Sequence, residues 1–279
     1  CGVVKNEIKY LLGLSEVEGL RGKKLKKILD EVGDAKQIWM AGDEMLNKWG
    51  VSGQVLDSLR AYKRSVNLDK KIVQYKREEI ELLPIWSDKY PPNLKEIDGA
   101  PGLLFVKGNL DVLNKKMMAV VGSRDASDNA KDKTAAVSGV LVNRGFVVVS
   151  GLAQGIDGYA HKACLGQKGE TVAVLAHGLE RIYPKNHQGL AGQILETGGV
   201  LVSEQPMNAE IKREYFLERN RIMVGMSEGL VVVEAQVRSG SMASANRAAS
   251  MGREVWAVEG SVGTDLLIKE GANKLAVDV

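Results

Sequence analysis

From Leu103 onward, short all-apolar runs recur between polar stretches of helical period. LLFVKG (103–108), MMAVVG (117–122), FVVVSG (146–151), TVAVLA (171–176), GVLVSE (199–204), GLVVVEA (229–235) and REVWAVEG (253–260) are the strand candidates. Helical stretches, for instance 128–143 and 241–251, separate most of them. Short strands that are apolar throughout, alternating with helices, predict a mainly parallel sheet covered on both faces. Glycines fall at the ends of these runs and not inside them, as strands require. The chain before Leu103 reads differently. Leu25, Ile28, Leu29 and Val32 have helical spacing, as do Val55, Leu59, Tyr62 and Val66. The charged stretch 67–82 reads as a helix or linker, and Pro91-Pro92 breaks any regular element in 83–97. The expectation is an α/β protein, with a small all-helical domain over 1–80 and the sheet domain over 81–279.

The helical part carries a weak repeat. EGLRGKKLKKIL (18–29) aligns with WGVSGQVLDSL (49–59), placing Gly19 on Gly50, Gly22 on Gly53, Leu25 on Leu56 and Ile28 on Leu59. Helix-hairpin-helix modules use glycine turns of this kind to offer backbone N–H groups to a DNA phosphate. A plain helical turn in a protein-contact domain accounts for the same pattern, and the glycines here are one residue further apart than in the usual hairpin. RGKKLKK (21–27) fits a solvated helix face equally well.

Four strand ends carry small, polar, phosphate-friendly chemistry: MMAVVGSR (117–124), SGLAQGID (150–157), HGLERIYPKN (177–186) and RSGSM (238–242). In a parallel sheet, turns at the carboxyl ends line up along one edge, with backbone N–H groups and helix N-termini facing anions. Arg124 follows the Gly122-Ser123 turn, and its planar fork suits phosphate. Pairing with Asp125 or Asp128 is the structural alternative. Gly151 and Gly155 would let backbone approach a ligand closely. Asp157 and His161, one helical turn apart, could be an acid/base pair or a brace for the loop. Arg219 and Arg221 flank Asn220; both could face a ligand, or one could pack inward against Glu204 or Glu234. Ser239 and Ser241 can cap the helix that follows them.

Charge adds little. The net charge of +3 is too mild to signal nucleic acid by itself. Residues 1–80 hold 16 Lys/Arg and 12 Asp/Glu, and the remainder 22 and 23, so basic surface on the sheet part must be local. Two cysteines in a chain of this size, Cys1 and Cys164, fit a reducing cytoplasm. Cys1-Gly2 resembles the start of a processed lipoprotein, but no charged-then-apolar signal segment precedes it, and a trimmed chain is the expectation. No apolar run is long enough for a membrane span. Three histidines and no C-x-x-C leave no protein-built metal site, and neither a P-loop nor G-x-G-x-x-G occurs, so no cofactor is expected.

Together, YPPNL, LLFVKGN, AVVGSR, SGLAQGIDGYAH, AVLAHGLERIYPKN, LVSEQP, FLERNRIMVG, LVVVEAQVRSGSMASANRAASMGREVWAV and LLIKEGA span most of residues 90–275. In this order they resemble the DNA-processing protein A (DprA/Smf) family of natural transformation, or competence. The resemblance implies an extended Rossmann-like domain that binds single-stranded DNA, forms a homodimer through its C-terminal part, protects incoming DNA and loads the recombinase RecA during DNA recombination. It implies no catalysis. The family's binding pocket maps onto Ser123, Arg124, Gly151, Gly155, Lys185, Asn186, Arg219, Arg221, Ser239, Gly240 and Ser241. The first 80 residues match the family's sterile-alpha-motif-like or helix-hairpin-helix region only loosely. Glu259 stands where Pro is usual and Asp265 where Asn is common. The sequence reaches Val279 without the winged helix of many members, which weakens an expectation of duplex binding. The competing reading is a Rossmann-like nucleoside-phosphate hydrolase of the phosphoribohydrolase type. Its P-G-G-x-G-T-x-x-E turn would correspond to SGSMASAN, which lacks the Glu.

Overall fold

The aligned glycines of the helical part adopt matching backbone angles. Gly19 and Gly50 have φ of +80° and +81°, and Gly22 and Gly53 have +61° and +57°. These are left-handed values that favour glycine, so the weak sequence repeat is a repeat of structure. The chain is described by a computed structural model covering residues 2–277, with side chains from residue 7. Cys1 and Val279, on which two of the sequence expectations rest, lie outside the described residues.

Six helices open the chain: α1 (Gly2–Glu16), α2 (Lys23–Val32), α3 (Ala35–Met40), α4 (Asp43–Lys48), α5 (Gly53–Ser65) and α6 (Leu68–Arg77). Leu25 and Ile28 on α2, and their repeat partners Leu56 and Leu59 on α5, are buried. The two glycine turns differ in what they meet. Gly22 lies against Arg221 and Glu204, Arg21 hydrogen-bonds Gln205, and Glu18 pairs with Lys212. The first turn is thereby docked on the sheet part. Space around Gly50 and Gly53 is open.

The sheet has nine strands among the described residues: β1 (Glu81–Pro84), β2 (Leu103–Gly108), β3 (Met117–Val121), β4 (Val147–Ser150), β5 (Thr171–Leu175), β6 (Val200–Ser203), β7 (Gly229–Val232), β8 (Glu254–Val258) and β9 (Asn273–Leu275). Their order is β1-β2-β6-β5-β4-β3-β7-β8-β9. All pairs are parallel except β1 with β2 and β2 with β6. The seven apolar runs are all strands. Short β1 and β9 were not expected, and the one-turn helix α7 (Pro92–Lys95) corrects the expectation of no regular element at Pro91-Pro92. Proline is tolerated there because the first helical N–H has no partner to lose. From β3 the chain builds outward to β6, then crosses back and places β7 on the other side of β3. The sheet is a Rossmann-like α/β layer, and its switch point lies between β3 and β7.

The remaining helices are α8 (Asp128–Asn143), α9 (Ile156–Gly166), α10 (Gln188–Glu196), α11 (Arg213–Met226), α12 (Gly240–Ser250) and α13 (Val262–Lys269). Alternate strand residues bury against different helices. Leu104, Val149, Val174 and Val232 pack with Leu94, Ile222, Met242 and Leu267, from α7, α11, α12 and α13. On the opposite face Val120 and Val148 meet α8 and α9. Beside them Phe105, Ala173 and Leu201 meet α10 and the opening helices in a single apolar cluster. Among the described residues no helix is long and apolar enough to cross a membrane.

A buried carboxylate ties the opening helices to the sheet part. Glu16 accepts hydrogen bonds from the phenols of Tyr62 and Tyr75 and from Lys71 Nζ. Met207 N donates to the Tyr75 oxygen at 3.0 Å, and the Tyr75 ring stacks on Phe105 at 5.2 Å. Burial, with Glu16 close by, pushes the Tyr75 phenol above its ordinary range. Glu16→Ala strands two phenols and an ammonium together, and should lower stability in urea denaturation by roughly 3 kcal/mol. Glu16→Gln, which keeps an acceptor, should recover part of the loss.

Candidate nucleic-acid interface

Two turns interlock at the carboxyl edge of β3 and β4. Gly155 has φ of +75°, and a Cβ there would overlap the carbonyl oxygen of Ser123. Ile156 N donates to that same oxygen at 3.1 Å. Gly122 is held by Ile156 on one side and the Glu234 backbone on the other. Glycine is needed at these positions because one turn's backbone is the other's packing surface. Arg124 is exposed at the rim of the interlocked turns. Its guanidinium lies 5.4 Å from the Phe216 ring centroid. Tyr183 meets Phe216 edge-on at 6.0 Å and is 48% exposed. A cation above a ring that continues into a second aromatic gives a surface able to stack a base.

His177 sets the Tyr183 loop. Its Nδ1 lies 2.9 Å from the Gly178 carbonyl, and Tyr183 N approaches its Nε2 at 3.2 Å. Nδ1 must therefore donate while Nε2 accepts, which requires the neutral ring. Burial lowers the pKa of His177, in agreement. Lys185 and Asn186 are exposed immediately beyond. The turn they share is anchored by buried His187, whose Nδ1 lies 2.9 Å from the Leu152 carbonyl.

The paired arginines of α11 face protein. Arg219 is 5% exposed and donates from Nη1 to the Val174 carbonyl at 2.7 Å. Its guanidinium occupies the space a Cβ at Gly151 would fill. Gly151 thus makes room for Arg219, and the expectation that this glycine admits a ligand has a nearer explanation. Burial lowers the Arg219 pKa and raises that of Asp157, 4.0 Å away. Arg221 is bonded to buried Glu204. The inward alternative therefore describes both arginines: Arg221 meets Glu204 as that reading had it, and Arg219 meets Val174 and Asp157.

Ser239 caps α12 by accepting from Met242 N at 3.3 Å, Gly240 is exposed and its carbonyl lies 3.4 Å from Asn220 Nδ2, and Ser241 is buried. Asp157 and His161 are both buried and not bonded to each other. Thr171 Oγ1 donates to the Val148 carbonyl, so His161 Nδ1 must donate to Thr171 at 2.8 Å. A ring committed in this way, closed off from solvent, braces α9 against β5 and is not placed for proton transfer to a substrate. Among the described residues no group of three His, Cys, Asp or Glu is arranged to hold a metal.

Residues 81–278 match the profile of the DNA recombination-mediator protein A family. The chain belongs to that family. Protein Smf of Escherichia coli is 41% identical over 226 residues, covering 77% of this chain and 60% of its own length. The DNA processing protein DprA of Bacillus subtilis is 37% identical, covering 75% of this chain and 72% of its own. The crystal structure of Streptococcus pneumoniae DprA has a TM-score of 0.81 at 33% identity, covering 95% of this chain and 93% of that one. A Helicobacter pylori DNA processing protein A, whose structure is described for its single-stranded DNA binding mode, has a TM-score of 0.64 at 25% identity, covering 70% of this chain and 90% of its own.

In this member of the family the edge brings together Ser123, Arg124 and Gly155, with Phe216 and Tyr183 as aromatic neighbours. Sequence reasoning passed over both aromatics, although they stand inside the quoted FLERNR and RIYPKN segments; Glu234, offered there as a partner for Arg219 or Arg221, instead adjoins the Arg124 loop and bonds Ser127. Burial lowers the His161 pKa from 6.5 to about 3. The unfolded chain therefore takes up the proton first, and stability contributed by neutral His161 is lost as pH falls from about 6.5 towards 3. Denaturation curves over this range should fall less steeply for His161→Gln than for the parent.

Proposed function

We propose that this chain binds single-stranded DNA along the carboxyl edge of its sheet and acts as a recombination mediator without chemistry of its own. The observation that carries this reading is the exposed Arg124 over the Phe216 ring, which Tyr183 meets edge-on, with Lys185 beyond, on turns locked by glycine. Phosphates meet Arg124, Lys185 and the start of α12, while bases stack on the ring pair. Gly151, Arg219 and Arg221 support the edge from within. Membership of the family supports the further steps: protection of incoming strands in the cytoplasm during transformation, and loading of RecA. The division near residue 80 then separates an auxiliary helical unit from the strand-binding unit.

A homodimer through the C-terminal part belongs to the same reading. α13 and edge strand β9 offer exposed Val262 and half-buried Leu266, Ile268 and Leu275. Leu267 is buried in the core and is no test of that surface. Asp265 accepts from Gly260 N at 2.9 Å, bracing the start of α13.

In mobility-shift titrations, single-stranded oligonucleotides should bind and the affinity should fall with salt at a log–log slope of roughly −0.7 per phosphate neutralised. Arg124→Glu should weaken all sequences alike, since phosphate contacts carry no base information. Phe216→Ala should weaken binding about tenfold through lost stacking, with little change of slope. Salt-independent binding would sink the reading. Sedimentation at micromolar concentration should give a dimer, converted to a folded monomer by Val262→Asp with Ile268→Asp. A monomeric parent refutes the dimer.

A further inference from the structure

The half-buried Glu234 side chain follows β7 at the switch point, where open α/β sheets commonly hold a ligand phosphate against the next helix. Here the carboxylate takes the cap residue of α8, the helix after β3. It accepts from Ser127 Oγ at 2.6 Å and from Ser127 N at 3.3 and 3.4 Å. Ser127 is the cap of α8, accepting from Ala130 N at 3.2 Å. The Glu234 carbonyl accepts from Ser123 N at 2.8 Å. One residue just past the end of the neighbouring strand therefore holds both ends of the loop from Ser123 to Ser127.

Arg124 lies between those ends. Among the described residues its guanidinium has no hydrogen-bonded or ion-paired partner, so its place depends on its backbone and on the Phe216 ring. In a site for phosphate, the charge of a nearby carboxylate opposes binding. What Glu234 contributes in return is the fixed loop. We infer that Glu234 is a positioning residue for strand binding, whose carboxylate holds the Ser123–Ser127 loop so that Arg124 meets the phosphate. This inference rests on the single-strand reading above.

Fluorescence anisotropy with labelled oligothymidylate tests it, using Arg124→Ala, Glu234→Met, Glu234→Gln and the Arg124→Ala/Glu234→Met double variant. Glu234→Met keeps the bulk and removes the acceptor. It should weaken binding about tenfold, as Arg124→Ala does. Both should flatten the salt slope by ~0.7, because each loses the same phosphate contact. The double variant should bind no worse than Arg124→Ala alone, since both changes act on one interaction. Glu234→Gln retains an acceptor for Ser127 and should stay close to the parent. Should Glu234→Met fail to fold, Ser127→Ala carries the same comparison from the donor side. The inference is overturned if Arg124→Ala weakens binding while Glu234→Met does not, or if the two losses add. Binding unchanged by Arg124→Ala removes the phosphate-edge reading itself, and this inference with it.

Discussion

The carboxyl edge is organised around a buried guanidinium. Arginine keeps its charge under any ordinary condition, so Arg219 inside the protein must find acceptors. It takes the Val174 carbonyl of β5, lies near Asp157 and fills the space a side chain at Gly151 would need. Each neighbour is fixed in turn. Gly151 cannot carry a side chain, Asp157 stays inside, and α11 is held at one distance from β4 and β5. One turn earlier on α11, Phe216 then reaches the rim, where Arg124 and Tyr183 meet it. The exposed surface inherits its geometry from an ion buried beneath it.

That division of labour explains what could be read from residues alone. Strands β2 to β8 announce themselves because each holds at least three consecutive apolar residues, a property local to each run. β1 and β9 span four and three residues and lack that signature, and nothing in LLFVKG reveals that β2 runs antiparallel to β6. The glycine turns were also legible, since a left-handed angle or a close backbone approach is a demand on one position. Arg124, Arg219 and Arg221 look alike in sequence. What separates them lies far along the chain: open rim for the first, Gly151 and Val174 for the second, Glu204 for the third. Tyr183 and Phe216 likewise become neighbours through the order of strands, which no local pattern encodes.

The uneven charge has a similar resolution. A net charge of +3 spread over this surface would do little for a polyanion. Many cations are already neutralised, among them Lys23 by Asp98, Arg60 by Asp43 and Lys71 by Glu16. Arg124 is not, and it stands beside aromatic surface. Placement of a few unpaired cations, more than their total, decides where an anionic chain can settle.

The antiparallel pairing of β2 with β6 bears on how the chain is made. Gly108 pairs with Val200, which is synthesised 92 residues later. At ribosomal speeds β2 waits roughly 5–20 s for that partner. During the wait Leu103 and Phe105 would offer an apolar strand edge to any neighbour. The opening helices emerge first, and they bury those same two side chains in their own apolar cluster. One face of β2 thus has its partner already made before the strand that completes its edge leaves the ribosome.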